Sequence, residues 1–312
     1  MKKVLGYLFV AFVLLIAVGI AGVYLRPTLI ISKEKIKQEY ALPNSHFLKW
    51  RGGDVHYVDE GSGPVVLMIH GFGGHFRNFQ KLADEMKGQY RVIRVDLPGF
   101  GLSDCPAIDK SNPQFVKMYD DFSTFLIDTL HLDSMYVIGN SMGGMIAWNM
   151  AVKHPQNVQK LVLLASAGYD LDKTAKGLFI IKYKAFTKMF EKGMPLFVSK
   201  GNAGKCYADE SKVDQQEVAM NNDISNREGN LQHMLDMAGD TIYPDTALIQ
   251  QVKCPTLIIW GQNDRIIPVE HAQRFKRDIP NSRLIIYDTC GHVPMIEKTE
   301  ETKHDIEQFF NE

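Results

Sequence analysis

The sequence predicts an α/β fold, a mostly parallel central sheet flanked by helices, with a helical cap inserted late in the chain. Three observations predict it. Short apolar runs recur at residues 65–70, 90–96, 135–139, 158–165, 256–260 and 283–287. Several are almost unbroken Val, Ile and Leu, as in strands covered by helices on both faces. Between them, Phe79, Leu82, Ala83 and Met86, and again Phe115, Met118, Phe122, Phe125 and Leu126, repeat at helical spacing. Strand and helix in alternation imply parallel strands joined by right-handed crossovers.

Lys2 and Lys3 precede residues 4–25, which hold no charged side chain. At about 1.5 Å per helical residue, such a run crosses about 30 Å of hydrocarbon. A cleaved signal peptide is the rival, but its apolar region usually covers only about 7–15 residues. Residues 1–26 are therefore read as a membrane anchor. The lysine-led start places the remainder of the chain outside the cytoplasm, against the basic residues Arg26, Lys33, Lys35 and Lys37 on the far side. Residues 27–43, polar and flanked by Pro27 and Pro43, read as a tether. A β-hairpin is expected over residues 46–60, turning at Gly52-Gly53.

Residues 44–168 and 251–312 form the expected core. Between them, residues 169–250 carry no convincing strand, only helical text such as residues 179–190 and 231–237. About 80 residues is too long for a plain connection, so a cap is expected. Its apolar residues Phe179, Phe186, Met189, Phe190, Met194 and Phe197 either line a substrate cavity or hold the cap together.

Composition excludes some chemistries. A formal net charge of −1 without a basic cluster in the core argues against nucleic acid as a partner. Cys105, Cys206, Cys254 and Cys290 form no CxxC pair, and so imply neither zinc nor a disulfide framework. Neither metal nor organic cofactor is expected.

The chemistry centres on Gly139-Asn140-Ser141-Met142-Gly143-Gly144. A serine on a sharp strand-to-helix turn needs glycines two residues to either side, where larger side chains collide. The turn lifts the hydroxyl to a helix N-terminus, which favours developing negative charge. Gly-x-Ser-x-Gly alone is a modest signal in a chain with 25 glycines; the strand before it and the helix after it supply the context.

Serine needs a base to remove its proton. Of ten histidines, His292 follows the last expected strand, at the sheet edge where Ser141 emerges. His70 also ends a strand there, but the following Gly71-Phe72-Gly73-Gly74 suits a loop of backbone donors. A carboxylate must then hold the imidazole. Asp264 follows the penultimate strand on the same edge, with Asp170 as rival and Asp288 too close to His292 in sequence. The order Ser, Asp, His results. Two backbone N–H groups, of Phe72 and Met142, are expected to stabilise an oxyanion. The glycine loop lacks phosphate-binding spacing, and His70 and His75 have no Glu partner for zinc.

Five motifs in order (His70-Gly71-Phe72-Gly73-Gly74, Asp96 to Ser103, residues 139–144, Asp264 and Gly291-His292) resemble the α/β-hydrolase superfamily over residues 44–312. The wording is similar to membrane-associated bacterial serine esterases and lipases. That resemblance implies an α/β-hydrolase fold and hydrolysis of a small-molecule or lipid ester through an acylated serine. Meta-cleavage C–C bond hydrolases also share Gly-Asn-Ser-Met-Gly-Gly. There a Trp commonly follows the Gly-His pair, where this chain has Val293. A non-catalytic binding protein on the same fold is the remaining alternative.

Overall fold

In the computed structural model, residues 7, 22, 25–106, 114–170, 190–238 and 245–312 are described. Eight strands form one sheet in the order β1-β2-β4-β3-β5-β6-β7-β8. β1 (Ser45–Trp50) and β2 (Gly53–Glu60) are the expected hairpin, with Trp50 paired to Gly53. Its turn residues Arg51 and Gly52 have φ of 46° and 80°, the left-handed pair that matches a two-residue hairpin to strand twist. β2 runs antiparallel to β4 (Arg91–Val95). β3 (Val65–Ile69), β4, β5 (Met135–Asn140), β6 (Val158–Leu164), β7 (Thr256–Gly261) and β8 (Ser282–Tyr287) are mutually parallel. All six expected apolar runs became strands.

Alternation along those strands sorts their side chains into two cores. Leu67, Ile69, Val137, Leu161, Leu163 and Ile258 face one side, against Trp148, Phe122 and Phe275. Val66, Met68, Ile138, Val162, Leu164 and Leu257 face the other, against Phe79, Leu82, Phe309 and Phe310. Burying each such side chain is worth about 1.5–3 kcal/mol. This rigid double-faced sheet fixes where its C-terminal edge lies.

The helices follow the sequence. α1 (Lys33–Tyr40) precedes the sheet; α2 (Gln80–Met86) and α3 (Phe115–Leu130) bracket β4; α4 (Met142–Lys153) follows β5. After β6 come α5 (Leu196–Cys206), α6 (Gln215–Ser225) and α7 (Asn230–Ala238), with no named strand among the described residues before β7. α8 (Glu270–Asp278) links β7 to β8, and α9 (Pro294–Glu297) and α10 (Thr299–Asn311) close the chain. The helical text expected at 231–237 is α7. That expected at 179–190 lies outside the described residues except Phe190, as do Phe179, Phe186 and Met189. Phe197 is 75% exposed.

The N-terminal expectations fare differently. Of residues 1–26, all but Tyr7, Gly22, Leu25 and Arg26 lie outside the described residues. Among the described residues no helix is long and apolar enough to cross a membrane. The stretch 27–43, expected as a tether, is a docked strap. Ile36 on α1 is fully buried with Val58, Phe76, Leu102 and Ile224. Ile31 donates its N–H to the Asn226 carbonyl (2.9 Å) and accepts from Glu228 N–H (2.9 Å). Lys33 pairs with Asp104 at 2.8 Å, and Tyr40 donates to Asp223 at 2.7 Å. One apolar residue per two turns gave no helical stripe, so long-range bonds rather than periodicity fix this helix.

Candidate active site

Ser141 stands between β5 and α4 with φ 55° and ψ −119°, a left-handed conformation that costs a non-glycine residue about 1–3 kcal/mol. The surroundings hold it there. Ser141 N–H donates to the Leu164 carbonyl (3.0 Å), and its own carbonyl accepts from Met145 (3.1 Å) and Ala167 (2.9 Å) N–H groups. A Cβ on Gly139 would stand 2.3 Å from the Gly143 carbonyl oxygen, and one on Gly143 2.1 Å from that of Ile69. The flanking glycines are therefore steric necessities, as the motif implied. Met142 opens α4, so its N–H belongs to the first turn, where no intrahelical carbonyl is available.

The Gly71–Gly74 loop lies against this elbow. A Cβ on Gly71 would come within 3.0 Å of the Ser141 Cβ. The Gly71 carbonyl accepts from His70 Nδ1 (2.7 Å) and from Gly74 N–H (3.0 Å). Because the peptide is planar and trans, pinning that carbonyl fixes the opposite direction of the Phe72 N–H. His70 Nε2 accepts from Leu97 N–H at 3.0 Å, so the ring is a neutral imidazole with its proton on Nδ1. Burial lowers its pKa, against the nearby Asp96 charge. His70 is thus an anchor of the loop, with both nitrogens committed.

Asp264 and His292 are brought together. His292 Nδ1 donates to Asp264 Oδ2 at 2.8 Å, with the two residues 5% and 9% exposed. The other Asp264 oxygen accepts from Ile266 (2.8 Å) and Ile267 (2.9 Å) N–H groups, which fixes the carboxylate. Asp170 and Asp288, the other carboxylates weighed, are exposed. The loops after β7 and β8 are sewn together by Asn263 N–H on the Cys290 carbonyl (2.9 Å) and Gln262 N–H on that of Tyr287 (2.9 Å).

Two residues escaped the sequence reading. Asn140 Nδ2 donates to the carbonyls of Leu164 (3.0 Å) and His292 (3.1 Å). It ties the loop carrying His292 to the residue beside Ser141, across 152 positions of sequence. The signal was an amide at the buried end of an apolar strand. Glu297 accepts from Gly291 N–H (2.7 Å) and Ala208 N–H (2.8 Å); its only trace in the sequence is a carboxylate following Pro-Met-Ile.

Helices between β6 and β7 meet this edge. His233 on α7 stands edge-on to Phe100, with centroids 5.3 Å apart, and Phe100 in turn meets Phe72 at 5.6 Å. Met234 would meet a Cβ on Gly73 at 3.3 Å. Arg227 donates to the Ser103 carbonyl (2.9 Å) and Asp104 (2.8 Å), and Asn230 to the Gly101 carbonyl (2.9 Å). Among the described residues no cluster of three or more His, Cys, Asp or Glu side chains is arranged to hold a metal ion.

Comparison with known proteins agrees with this architecture. The family model described as alpha/beta hydrolase fold matches residues 64–299. Lipase 1 of Psychrobacter immobilis is 32% identical over 275 residues, covering 83% of this chain and 81% of that protein. The 2-hydroxy-6-oxo-6-(2'-aminophenyl)hexa-2,4-dienoic acid hydrolase of Metapseudomonas resinovorans is 28% identical, covering 86% and 90% respectively. A crystal structure of a membrane phospholipase A superposes with a TM-score of 0.73 at 22% identity, over 100% of this chain and 98% of that one; at that identity the likeness is one of fold. On the match across its core, the chain belongs to the α/β-hydrolase family.

Proposed function

We propose that the protein is a serine hydrolase that cleaves carboxylic esters, of lipid or acylglycerol type, through an acyl-enzyme. The observation that carries this reading is the His292–Asp264 pair held beside the elbow by Asn140. Ser141 is the nucleophile. His292 takes its proton at Nε2 as the hydroxyl oxygen attacks the ester carbonyl, then returns it to the leaving alcohol. Asp264 keeps the other imidazole proton on Nδ1 and stabilises the imidazolium. The N–H groups of Phe72 and Met142 receive the oxyanion, each worth about 3 kcal/mol in the transition state. Water then attacks the acyl carbonyl, with His292 again the base, and frees the acid. The apolar residues 4–25 support a membrane-anchored enzyme working outside the cytoplasm on such esters.

The likeness to a dienoic acid hydrolase favours a second reading, C–C bond hydrolysis of a vinylogous dienone. One assay separates them. A panel of p-nitrophenyl esters of rising acyl length and a ring-cleavage dienone are offered to the wild type and to Ser141→Ala. Ester turnover lost in the variant is the expected result. Dienone turnover without ester turnover selects the second reading, and turnover of neither rejects both.

A further inference from the structure

One segment of the cap touches both loops that carry the His–Asp pair. Cys206 offers its carbonyl to the N–H of His292 at 2.7 Å. Ala208 and Gly291, one from the cap and one beside His292, share the Glu297 carboxylate, one N–H on each oxygen. From the other loop, Arg265, next to Asp264, donates to the carbonyls of Gly204 (2.8 Å) and Tyr207 (2.6 Å) and pairs with Glu210 at 2.8 Å. The contact is backbone on backbone: a Cβ on Gly291 would lie 2.5 Å from the Cys206 carbonyl oxygen and 2.8 Å from Ala208 N.

We propose that the cap turn 204–208 positions the His292–Asp264 pair, with Glu297 and Arg265 as the two joints that fasten it. The proposal rests on the catalytic reading above. Each joint is one or five residues from a member of the pair, and each bond it makes runs to the cap or to the base loop. The His292 N–H has its acceptor in the cap, and Gly291 shares its acceptor with the cap. Lifting the turn therefore strips the base loop of a backbone partner while loosening the loop that holds the acid. Seating of the cap and alignment of the base are then one event. Glu297 and Arg265 are positioning residues. A misplaced base costs rate far more than binding; about 1 Å of displacement can reduce turnover about 100-fold.

The test uses the full-length protein, p-nitrophenyl butyrate, and Glu297→Ala, Glu297→Gln, Arg265→Gln and the double variant Glu297→Ala/Arg265→Gln. Expected are a kcat lower by about 100-fold in Glu297→Ala with KM within about 3-fold. Glu297→Gln, which keeps one acceptor, recovers part of that rate. The double variant falls short of the product of the two single losses, because both joints hold one turn.

The pH profile separates positioning from charge. Glu297 faces Lys212, Asp264, Cys206, Tyr207 and Cys290, and Arg265 faces Glu210 and Cys206. Removing an anion and removing a cation shift a neighbouring base in opposite directions. Loosening the pair moves the acidic limb of kcat/KM to lower pH in both Glu297→Gln and Arg265→Gln, as expected here. Opposite shifts in the two variants, or unchanged kcat in both, overturn the proposal. Arg265 is partly exposed, so its variant reads the joint even if Glu297→Ala does not fold. A wild type with no ester turnover and no labelled Ser141 removes the catalytic reading, and this proposal with it. An active wild type beside unaffected variants removes this proposal alone.

Discussion

Among the described residues two His–Asp pairs lie near a serine, one bonded to Ser45 and the other tied to Asn140 beside Ser141, and the proposed chemistry belongs to the second. In the first, Ser45 Oγ lies 2.7 Å from His56 Nε2, and His56 Nδ1 donates to Asp96 Oδ2 at 2.7 Å. As a hydrogen-bond array it is more complete than the pair formed by His292 and Asp264. Yet Ser45 opens a strand, and its hydroxyl oxygen accepts from Leu42 N–H at 2.9 Å. Asp96 also accepts from the N–H groups of Phe76 (2.7 Å) and Leu102 (2.8 Å). Burial alone raises that carboxyl; the hydrogen bond from His56 and the adjacent imidazoles hold it below its ordinary value. Every member is spent on fastening β1, β2 and the loop after β4. Ser141, by contrast, stands on a strained turn at a helix N-terminus beside a glycine loop. On the proposed reading, the strained turn and the backbone donors around the serine mark the nucleophile, and hydrogen bonds among Ser, His and Asp do not suffice.

That contrast can be broken by mutation. Ser141→Ala is expected to lower ester kcat about 10⁶-fold with the fold intact, read by turnover of p-nitrophenyl esters. Asp264→Asn, which lets the wrong imidazole tautomer form, is expected to cost about 10⁴-fold in kcat. Asp96→Ala acts on stability instead. It orphans several buried donors at once and is expected to lower unfolding free energy by about 3–5 kcal/mol, read from urea midpoints. Since the folded Asp96 pKa lies below that of an unfolded carboxyl, its contribution is full above about pH 4 and is lost as pH falls through the folded value. The urea midpoints of wild type and Asp96→Ala should therefore converge on acidification. Ser45→Ala is the mildest, about 1 kcal/mol of stability with ester kcat within about 2-fold of wild type. A large kcat loss there would reverse the assignment of the two constellations.

How much could be read beforehand follows the same division. The six buried strands announced themselves because two covered faces demand unbroken apolar text. The elbow was legible because its glycines are steric requirements packed into five residues. Edge and order put Asp264 and His292 on one rim, since parallel strands deliver successive loops there, and the structure pairs them. The helix at Lys33–Tyr40 was missed, as its docking depends on Ile36 and on bonds to residues 226–228. Asn140, Glu297 and the Ser45–His56–Asp96 array were missed for the same reason. Their partners lie far off in sequence or across a sheet, and no local pattern records a hydrogen bond made at that range.

The central claim is most directly tested by finding which serine reacts. The intact protein is treated with a fluorophosphonate, digested, and the modified peptide identified by mass spectrometry, with Ser141→Ala and Ser45→Ala in parallel. The account predicts one adduct, on Ser141, absent from Ser141→Ala and undiminished in Ser45→Ala. An adduct on Ser45, or a Ser141→Ala protein that still reacts at wild-type rate, contradicts it.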